Sequence, residues 1–208
     1  MKRQIRTLSE AKPILEPHYN KILDAMKVSF RQQIEIKDFI YQNQGFFELK
    51  PRTKANIISD FIQTNITNSF SDTEGVTAGV FNDVFGLNIG NELFVRFKKM
   101  DKAFKTGNVS TTQQQNFQTQ KCILGFPDQP TFVFAGYIPD STWLNVTGFY
   151  IACWDGKTLE WFDEFGNSSY EQFEIKFDPT DPKLDEKVER RIKVSSKIIQ
   201  LKVDKSNE

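Results

Sequence analysis

Two segments near the N-terminus carry apolar residues at steps of three and four, the spacing that places side chains on one face of a helix. Residues 53–70 show this pattern with a broad apolar face, and residues 9–32 show it at Leu15, Tyr19, Ile22, Met26 and Phe30. The pattern therefore predicts two amphipathic helices, joined by a loop that contains Gly45.

From Gly75 onwards the apolar positions follow the shorter period of a strand. Residues Val76–Phe85 predict one strand, residues 87–91 the turn after it, and Leu93–Lys99 a second strand. A short helix is expected to begin at Thr111 or Thr112, since threonine is a good N-cap, and to run to Lys121.

The stretch from Thr131 to Phe165 is rich in β-branched and aromatic residues, which suit a pleated, half-buried surface. Pro139-Asp140-Ser141 and Asp155-Gly156 divide it, and Asp-Gly between alternating apolar residues is typical of a hairpin. The sequence predicts three consecutive strands here, at 131–138, 145–154 and 158–165.

Residues 170–177 predict a further strand, and residues 183–200 return to helical spacing. With helices at both ends and strands in the middle, the chain is expected to be α+β, with a mostly antiparallel sheet of five to six strands. Two N-terminal helices, a short middle helix and a C-terminal helix complete this prediction. Residues 1–208 are expected to form one domain, and a helical subdomain 1–72 beside a sheet-rich part 73–208 is the alternative.

Composition indicates an ordinary globular protein: 38% of the 208 residues are hydrophobic and 26% are charged. No apolar run is long enough to span a membrane, and the basic N-terminus is not followed by the apolar stretch of a secretory signal. We therefore expect a soluble cytoplasmic protein without a membrane partner. Cys122 and Cys153 lie in apolar surroundings and are expected to be buried, reduced thiols.

The chain has a single histidine, His18, in a segment that predicts a helix surface. A Ser-His-Asp or Cys-His mechanism would have to use that residue, and a Cys/His zinc site needs about four ligands where the chain has three scattered ones. We expect no metal site and no small-molecule cofactor.

Basic and aromatic residues alternate between positions 93 and 105, an arrangement that can follow a nucleic-acid backbone and stack on bases. The candidate binding residues are Phe94, Arg96, Lys98, Lys99, Lys102 and Lys105. The alternative is a strand with a buried aromatic face and a solvated basic face. The zero net charge lowers the expectation of a free-standing DNA-binding domain.

Tryptophans at 143 and 161 add to the aromatic residues of the predicted sheet. Exposed aromatic side chains are enriched at interaction hot spots, so Trp143 and Trp161 are candidate contacts to a protein partner. Burial in the core or at a strand end is an equal alternative.

A metal-dependent nuclease is the competing hypothesis. Asp163 precedes a Glu-x-Lys triplet, Glu174-Ile175-Lys176, on the predicted strand 170–177. Two carboxylates and an ammonium on neighbouring strands could hold Mg²⁺ and activate water, as in restriction-endonuclease-like enzymes. The same triplet also occurs at Glu35-Ile36-Lys37, and a charged strand face is usually only solvated.

Three segments together resemble a group of uncharacterised bacterial proteins of similar length: Leu93–Asp101, Thr112–Phe117, and the run from Ala135-Gly136-Tyr137 to Trp154-Asp155-Gly156 and Trp161. Members of that group occur in mobile-element or prophage contexts, near genes for helix-turn-helix regulators with an associated metallopeptidase. The resemblance implies a regulatory or defence-related role and contributes no catalytic residues. A proline commonly precedes the Asn-Gly turn in that group, whereas this chain has Trp154-Asp155-Gly156.

The sequence thus favours a non-enzymatic binding or regulatory accessory protein of a prokaryotic mobile-element or phage-defence system. Its partner is expected to be a protein, with nucleic acid as the alternative. The competing hypothesis is the Mg²⁺-dependent nuclease with Asp163, Glu174 and Lys176.

Overall fold

A computed structural model of the chain describes residues 3–45, 48–107, 111–122 and 130–166. These ranges belong to one unit, Met1–Ser169, and the second unit, Tyr170–Glu208, lies outside them. The predicted strand 170–177 and the predicted helix 183–200 therefore fall outside the described residues.

The N-terminal helical region is longer than the pattern predicts and is interrupted once. Helix α1 (Leu8–Leu15) leads into a 3₁₀ turn (Glu16–His18), and helix α2 then runs over Tyr19–Gln44. Pro17 lies in the 3₁₀ turn, where its missing N–H and its ring interrupt the regular α-helical ladder. The prediction of one helix ending at residue 32 is wrong, because α2 continues for three further turns, with Ile36, Phe39 and Ile40 at the i, i+3 and i+4 spacing of a helix.

Helix α3 (Pro51–Phe70) confirms the second predicted helix and begins slightly earlier. Pro51 occupies the first turn, where a missing N–H has no cost. The buried positions Ile58, Ile62 and Ile66 lie at steps of four, so one face of α3 packs into the core.

The first strands form a hairpin that the pattern does not predict. Strand β1 (Val76–Phe81) pairs with β2 (Val84–Ile89) around Asn82 and Asp83, whose φ angles of 45° and 61° are both positive. Two such residues make the turn type that matches the twist of a two-residue hairpin. The predicted single strand 76–85 and the predicted turn 87–91 are therefore wrong.

The remaining strands and the middle helix follow the prediction closely. Strand β3 covers Leu93–Lys99, and helix α4 covers Thr112–Gln118, with the Thr111 side chain accepting a hydrogen bond from the Gln114 N–H. Strands β4 (Thr131–Pro139), β5 (Val146–Asp155) and β6 (Thr158–Gly166) confirm the three strands predicted in this region.

The six strands form one sheet in chain order, β1-β2-β3-β4-β5-β6. Every pair is antiparallel except β3 and β4, which run parallel with Leu93 opposite Thr131. The α+β class is correct. The sheet is mixed because the connection through α4 returns the chain to the end of the sheet at which β3 begins, so that β4 runs in the same direction as β3.

Helices lie on both faces of this sheet. One core contains the buried faces of α1, α2 and α3 together with Leu93, Val95 and Phe97 of β3. A smaller core on the other face surrounds Phe117 of α4 and includes Phe94. Alternate residues of β3 therefore belong to different layers, as strand geometry requires.

The two cysteines differ in their environments. Cys153 is buried in the larger core, but Cys122 is exposed, so the prediction of burial is wrong for Cys122. Gln120 turns inward, and its side-chain amide bonds the backbone N–H and C=O of Phe132 and the C=O of Trp154.

Within the described ranges, no helix combines the length and the apolar character that a bilayer crossing demands.

Candidate functional site

A cleft of about 620 Å³ opens where β3 and β4 end and α3 begins. We call it the basic cleft, because Arg52 of α3 and Lys98, Lys99 and Lys105 line it, with Asp101 as the acidic residue among its lining. Three of the sequence-predicted binding residues, the lysines at 98, 99 and 105, therefore come together here.

The first turn of α3 adds to the positive potential of the basic cleft. Its N-cap, Lys50, makes no side-chain capping bond, and the turn contains no acidic residue. A helix N-terminus carries a partial positive charge, which acidic residues in the first turn would reduce. Arg52 therefore faces the cleft from an element that already favours anions.

Lys98 is the most desolvated cation of the cleft. Burial, and then the nearby charge of Arg96, lowers the pKa of Lys98 to about 8. Its side chain also borders a smaller cavity of about 160 Å³ beside Ser59, Asp83 and Arg96. Lys98 thus carries most of its charge at neutral pH and loses it in mildly alkaline solution.

Arg96 lies under helix α4 and does not reach the cleft. One of its guanidinium nitrogens donates to Gln114 Oε1 over 2.6 Å, and the guanidinium carbon lies 5.6 Å from the centre of the Phe117 ring. Burial lowers the pKa of Arg96 to about 10, so the group stays charged at neutral pH. These contacts give Arg96 a role in holding α4 on the sheet.

Trp143 lies beside the cleft lysines but is buried, with 8% of its surface exposed. The Nζ atoms of Lys99 and Lys54 lie 5.1 Å and 5.7 Å from its ring centre, so two ammonium groups cover the indole. Of the two alternatives for Trp143, the structure agrees with burial at a strand end. The indole ring packs against the side chains of Lys99 and Lys54 from the buried side.

Trp161 is also buried, with 9% of its surface exposed, and its indole N–H donates to the backbone C=O of Arg6 over 2.8 Å. Phe94 is fully buried between α4 and the sheet. The structure thus separates Trp161 and Phe94 from the cleft, and both agree with the alternative of burial.

A second feature lies on the other side of the turn after β3. The rings of Phe104 and Phe162 stack with their centres 4.5 Å apart, and Tyr150 lies 5.0 Å from Phe104. Phe162 is 47% exposed. We call these three residues the aromatic patch.

The turn itself is well fixed. The Asp101 carboxylate accepts the backbone N–H groups of Ala103 and Lys105, and Phe104 adopts a φ of 59°, which is costly for a residue other than glycine. The turn thereby places Phe104 on the patch and Lys105 at the cleft. Lys102 is exposed on the same turn.

The structure gives Asp163 a different role from the one that the nuclease hypothesis requires. Its carboxylate accepts the Tyr19 hydroxyl over 2.8 Å and lies 3.3 Å from Lys12 Nζ, so it ties α1 and α2 to β6. Glu174 and Lys176 lie outside the described residues. Among the residues that the structure describes, no three His, Cys, Asp or Glu side chains form a group that could hold a metal ion.

Sequence reasoning missed Arg52 and Phe162. Arg52 follows Pro51 in a helix start without acidic residues, which is a detectable signal for an anion-facing helix end. Tyr150 and Phe162 lie at alternating positions of neighbouring strands, but only the tertiary contact with Phe104 distinguishes them from other sheet aromatics.

No protein-family model, no curated protein and no solved structure matches the chain.

Proposed function

We propose that this protein acts by binding, and that it recognises an anionic macromolecule at the basic cleft and the aromatic patch. The observation that carries the proposal is the turn at 101–105, which joins Lys105 of the cleft to Phe104 of the patch. A regulatory or defence role in a mobile-element setting rests on the sequence resemblance alone and is part of the same proposal.

Single-stranded nucleic acid fits this surface in two ways. Its phosphates would pair with Arg52, Lys99 and Lys105, whose side chains line one cleft. Its bases would stack on the exposed face of Phe162, since every base offers a π-surface to an aromatic ring. The zero net charge of the whole chain is compatible with this, because the cations are concentrated locally.

A protein partner is the second candidate. Glu160 and Glu164 are exposed on β6 on either side of Phe162, which gives the aromatic patch a rim of both charges. Aromatic centres with polar rims are typical of protein interfaces. An acidic peptide segment could then occupy the cleft.

The proposal is tested by fluorescence anisotropy with a labelled single-stranded oligonucleotide at two salt concentrations. We expect binding that weakens steeply with salt, because each neutralised phosphate releases counterions. Replacing Arg52, Lys99 and Lys105 together by glutamine should lower the affinity at least tenfold and flatten the salt dependence. Lys157→Gln, an exposed lysine in the β5–β6 turn, is the matched control.

Absence of binding at low salt would remove nucleic acid as the partner. A pull-down from the native host with the same variants would then test the protein partner. Captured proteins that remain bound to the triple variant would contradict a role for the basic cleft.

The nuclease hypothesis is tested separately by incubating the protein with plasmid and Mg²⁺ or Mn²⁺. The binding proposal expects no cleavage. Cleavage that disappears in Glu174→Ala would establish the metal-dependent enzyme and overturn the non-enzymatic proposal.

A further inference from the structure

The basic cleft holds more positive charge than the residues around it neutralise. None of its four cationic side chains forms a salt bridge within the described residues. The Asp101 carboxylate is already used, because it accepts the backbone N–H groups of Ala103 and Lys105. Residues 46–47 and 108–110, which lie a few positions from lining residues in the sequence, contain no acidic side chain. An anionic ligand is therefore the occupant that the charge of the cleft favours.

A buried hydroxyl at the cleft is a second and independent sign of a ligand. Tyr137 of β4 lines the cleft, is only 3% exposed and lies opposite Lys99 in the parallel register. Within the described residues its hydroxyl makes no hydrogen bond, and burial alone raises its pKa, so the O–H keeps its proton. An O–H group removed from water without an acceptor is costly, and a ligand oxygen that accepts from it would remove that cost.

The size of the cleft fits one nucleotide and not a length of strand. Its volume of about 620 Å³ lies in the range of clefts that enclose a small ligand. On one side Ile62 and Phe97, both buried, line the cleft and the smaller cavity alike and so form the wall that the two share. A strand that continues in both directions needs an exit at each end of its site, whereas a strand end needs one opening.

Phosphate monoesters match the charge and the donors of this cleft better than the diesters within a strand do. A monoester carries a charge of about −1.5 to −2 at pH 7 and three acceptor oxygens, whereas each internal linkage carries a single charge. Besides its cations and the Tyr137 hydroxyl, the cleft has the start of α3, where no side chain caps the free N–H groups. These donors converge on a compact, doubly charged group.

We propose that the basic cleft binds a phosphate monoester, the terminal phosphate of a single strand, with the Tyr137 hydroxyl donating to it and the four cations neutralising it. This end recognition rests on the proposed function and specifies its ligand. The bases that follow the terminal phosphate reach the aromatic patch, because the turn at 101–105 joins the two surfaces. A free nucleotide carries the same monoester and is the second source of this chemistry.

Three forms of one internally labelled oligonucleotide test the proposal by fluorescence anisotropy at a fixed salt concentration. They carry a 5′-phosphate, a 3′-phosphate or no terminal phosphate. We expect one phosphorylated form to bind at least tenfold more tightly than the unphosphorylated form. AMP should displace it and adenosine should not. AMP that binds as tightly as the phosphorylated strand would support the monoester site with a free nucleotide as its ligand.

Tyr137→Phe isolates the buried hydroxyl, because it keeps the ring and removes only the O–H. We expect affinity for the phosphorylated strand to fall about fivefold or more while affinity for the unphosphorylated strand is unchanged, since only the bond to the terminal phosphate is lost. Tyr41→Phe is the matched control, because Tyr41 is 52% exposed on α2. Lys98→Gln should also reduce the preference for the phosphorylated strand. Urea unfolding curves that match the unmodified chain would establish that Tyr137→Phe retains the fold.

Equal affinities for the three oligonucleotides, with binding that still weakens in salt, would overturn end recognition and leave the proposed function standing. An unchanged preference in Tyr137→Phe would overturn the role of the hydroxyl. If AMP binds and no oligonucleotide does, the proposed function fails and the monoester site is supported. If neither binds, both fail.

Discussion

Lys98 shows how a single residue responds to opposing effects at the basic cleft. Burial disfavours its charge, Arg96 disfavours it further, and the pKa falls to about 8. The cleft nevertheless gains a cation at neutral pH. The protein therefore accepts a stability cost at this position, which is expected where a charged group serves binding.

This cost predicts a pH-dependent effect of Lys98→Met. In the unfolded chain the pKa is near 10.5, so the unfolded state binds more protons between pH 8 and that value, and stability of the unmodified protein rises with pH across this window. Below pH 8 the amine is charged in both the folded and the unfolded state, so the fold bears the full cost of burying that charge. In this range Lys98→Met should raise the free energy of unfolding by roughly 1–2 kcal/mol after allowance for solvent screening.

Urea unfolding at a series of pH values measures the effect. The gain from Lys98→Met should shrink above pH 8 and vanish as the pH approaches the value for the unfolded chain. Lys157→Met, at an exposed turn position, should show no such trend. A gain that is constant with pH would show that packing, not charge, explains the difference.

At the scale of elements, the close approach of β3 and β4 depends on Gly136. A Cβ there would lie 2.7 Å from the backbone C=O oxygen of Lys98 and 2.5 Å from Met100 Sδ. The side chain of Met100 could move, but the strand backbone could not move without breaking the parallel pairing. The same approach brings Tyr137 to the cleft.

Gly136→Ala is therefore expected to destabilise the fold by about 2–3 kcal/mol through overpacking. Gly107→Ala is the matched control, because no atom of the described residues lies within 4 Å of a Cβ at that position. Thermal and urea denaturation of the two variants measure the difference. Equal stabilities would contradict the close contact between the two strands.

Two cores of unequal size hold the described part of the chain together. The larger one joins α1, α2 and α3 to the sheet, while the smaller one depends on Phe117 of the short helix α4. The Phe117 ring stacks on Phe132 with centres 4.2 Å apart and contacts Phe134 edge-on at 4.9 Å. Since α4 has few other buried residues, Phe117 is its main attachment.

Phe117→Ala should cost about 3–5 kcal/mol, because it removes a fully buried ring and leaves a cavity. Hydrogen exchange should show the largest loss of protection in α4 and the neighbouring part of β4. Phe39→Ala, a ring that is 66% exposed on α2, is the control that should leave stability almost unchanged. A uniform loss of protection across the sheet would show instead that the two cores unfold as one.

Local patterns predicted the elements with a distinctive spacing or composition. Helix α3 has its buried isoleucines at steps of four, and strands β3, β4, β5 and β6 are rich in β-branched and aromatic residues, with β4 buried on both faces over residues 131–137. The pattern failed where local chemistry was less distinctive. Asn82-Asp83 makes a hairpin turn without glycine, and no residue of α2 after Gln33 is buried although the helix runs to Gln44.

The candidate site could be predicted only in part. The lysines at 98, 99 and 105 lie on one stretch of chain, so their proximity follows from the sequence. Arg52 approaches them only because α3 packs across the end of β3. The burial of Trp143 and Trp161 could not be read from composition, since tryptophan occurs both in cores and at interfaces.

The sequence by itself determined the α+β class, the three strands after residue 130 and the cationic turn after β3, because periodicity, turn residues and charge are properties of neighbouring positions. The tertiary structure decided that β3 and β4 run parallel, that helices cover both faces and that Arg52 joins the lysines at one cleft. These features depend on contacts between residues far apart in the chain, whose closure entropy and packing no local pattern encodes.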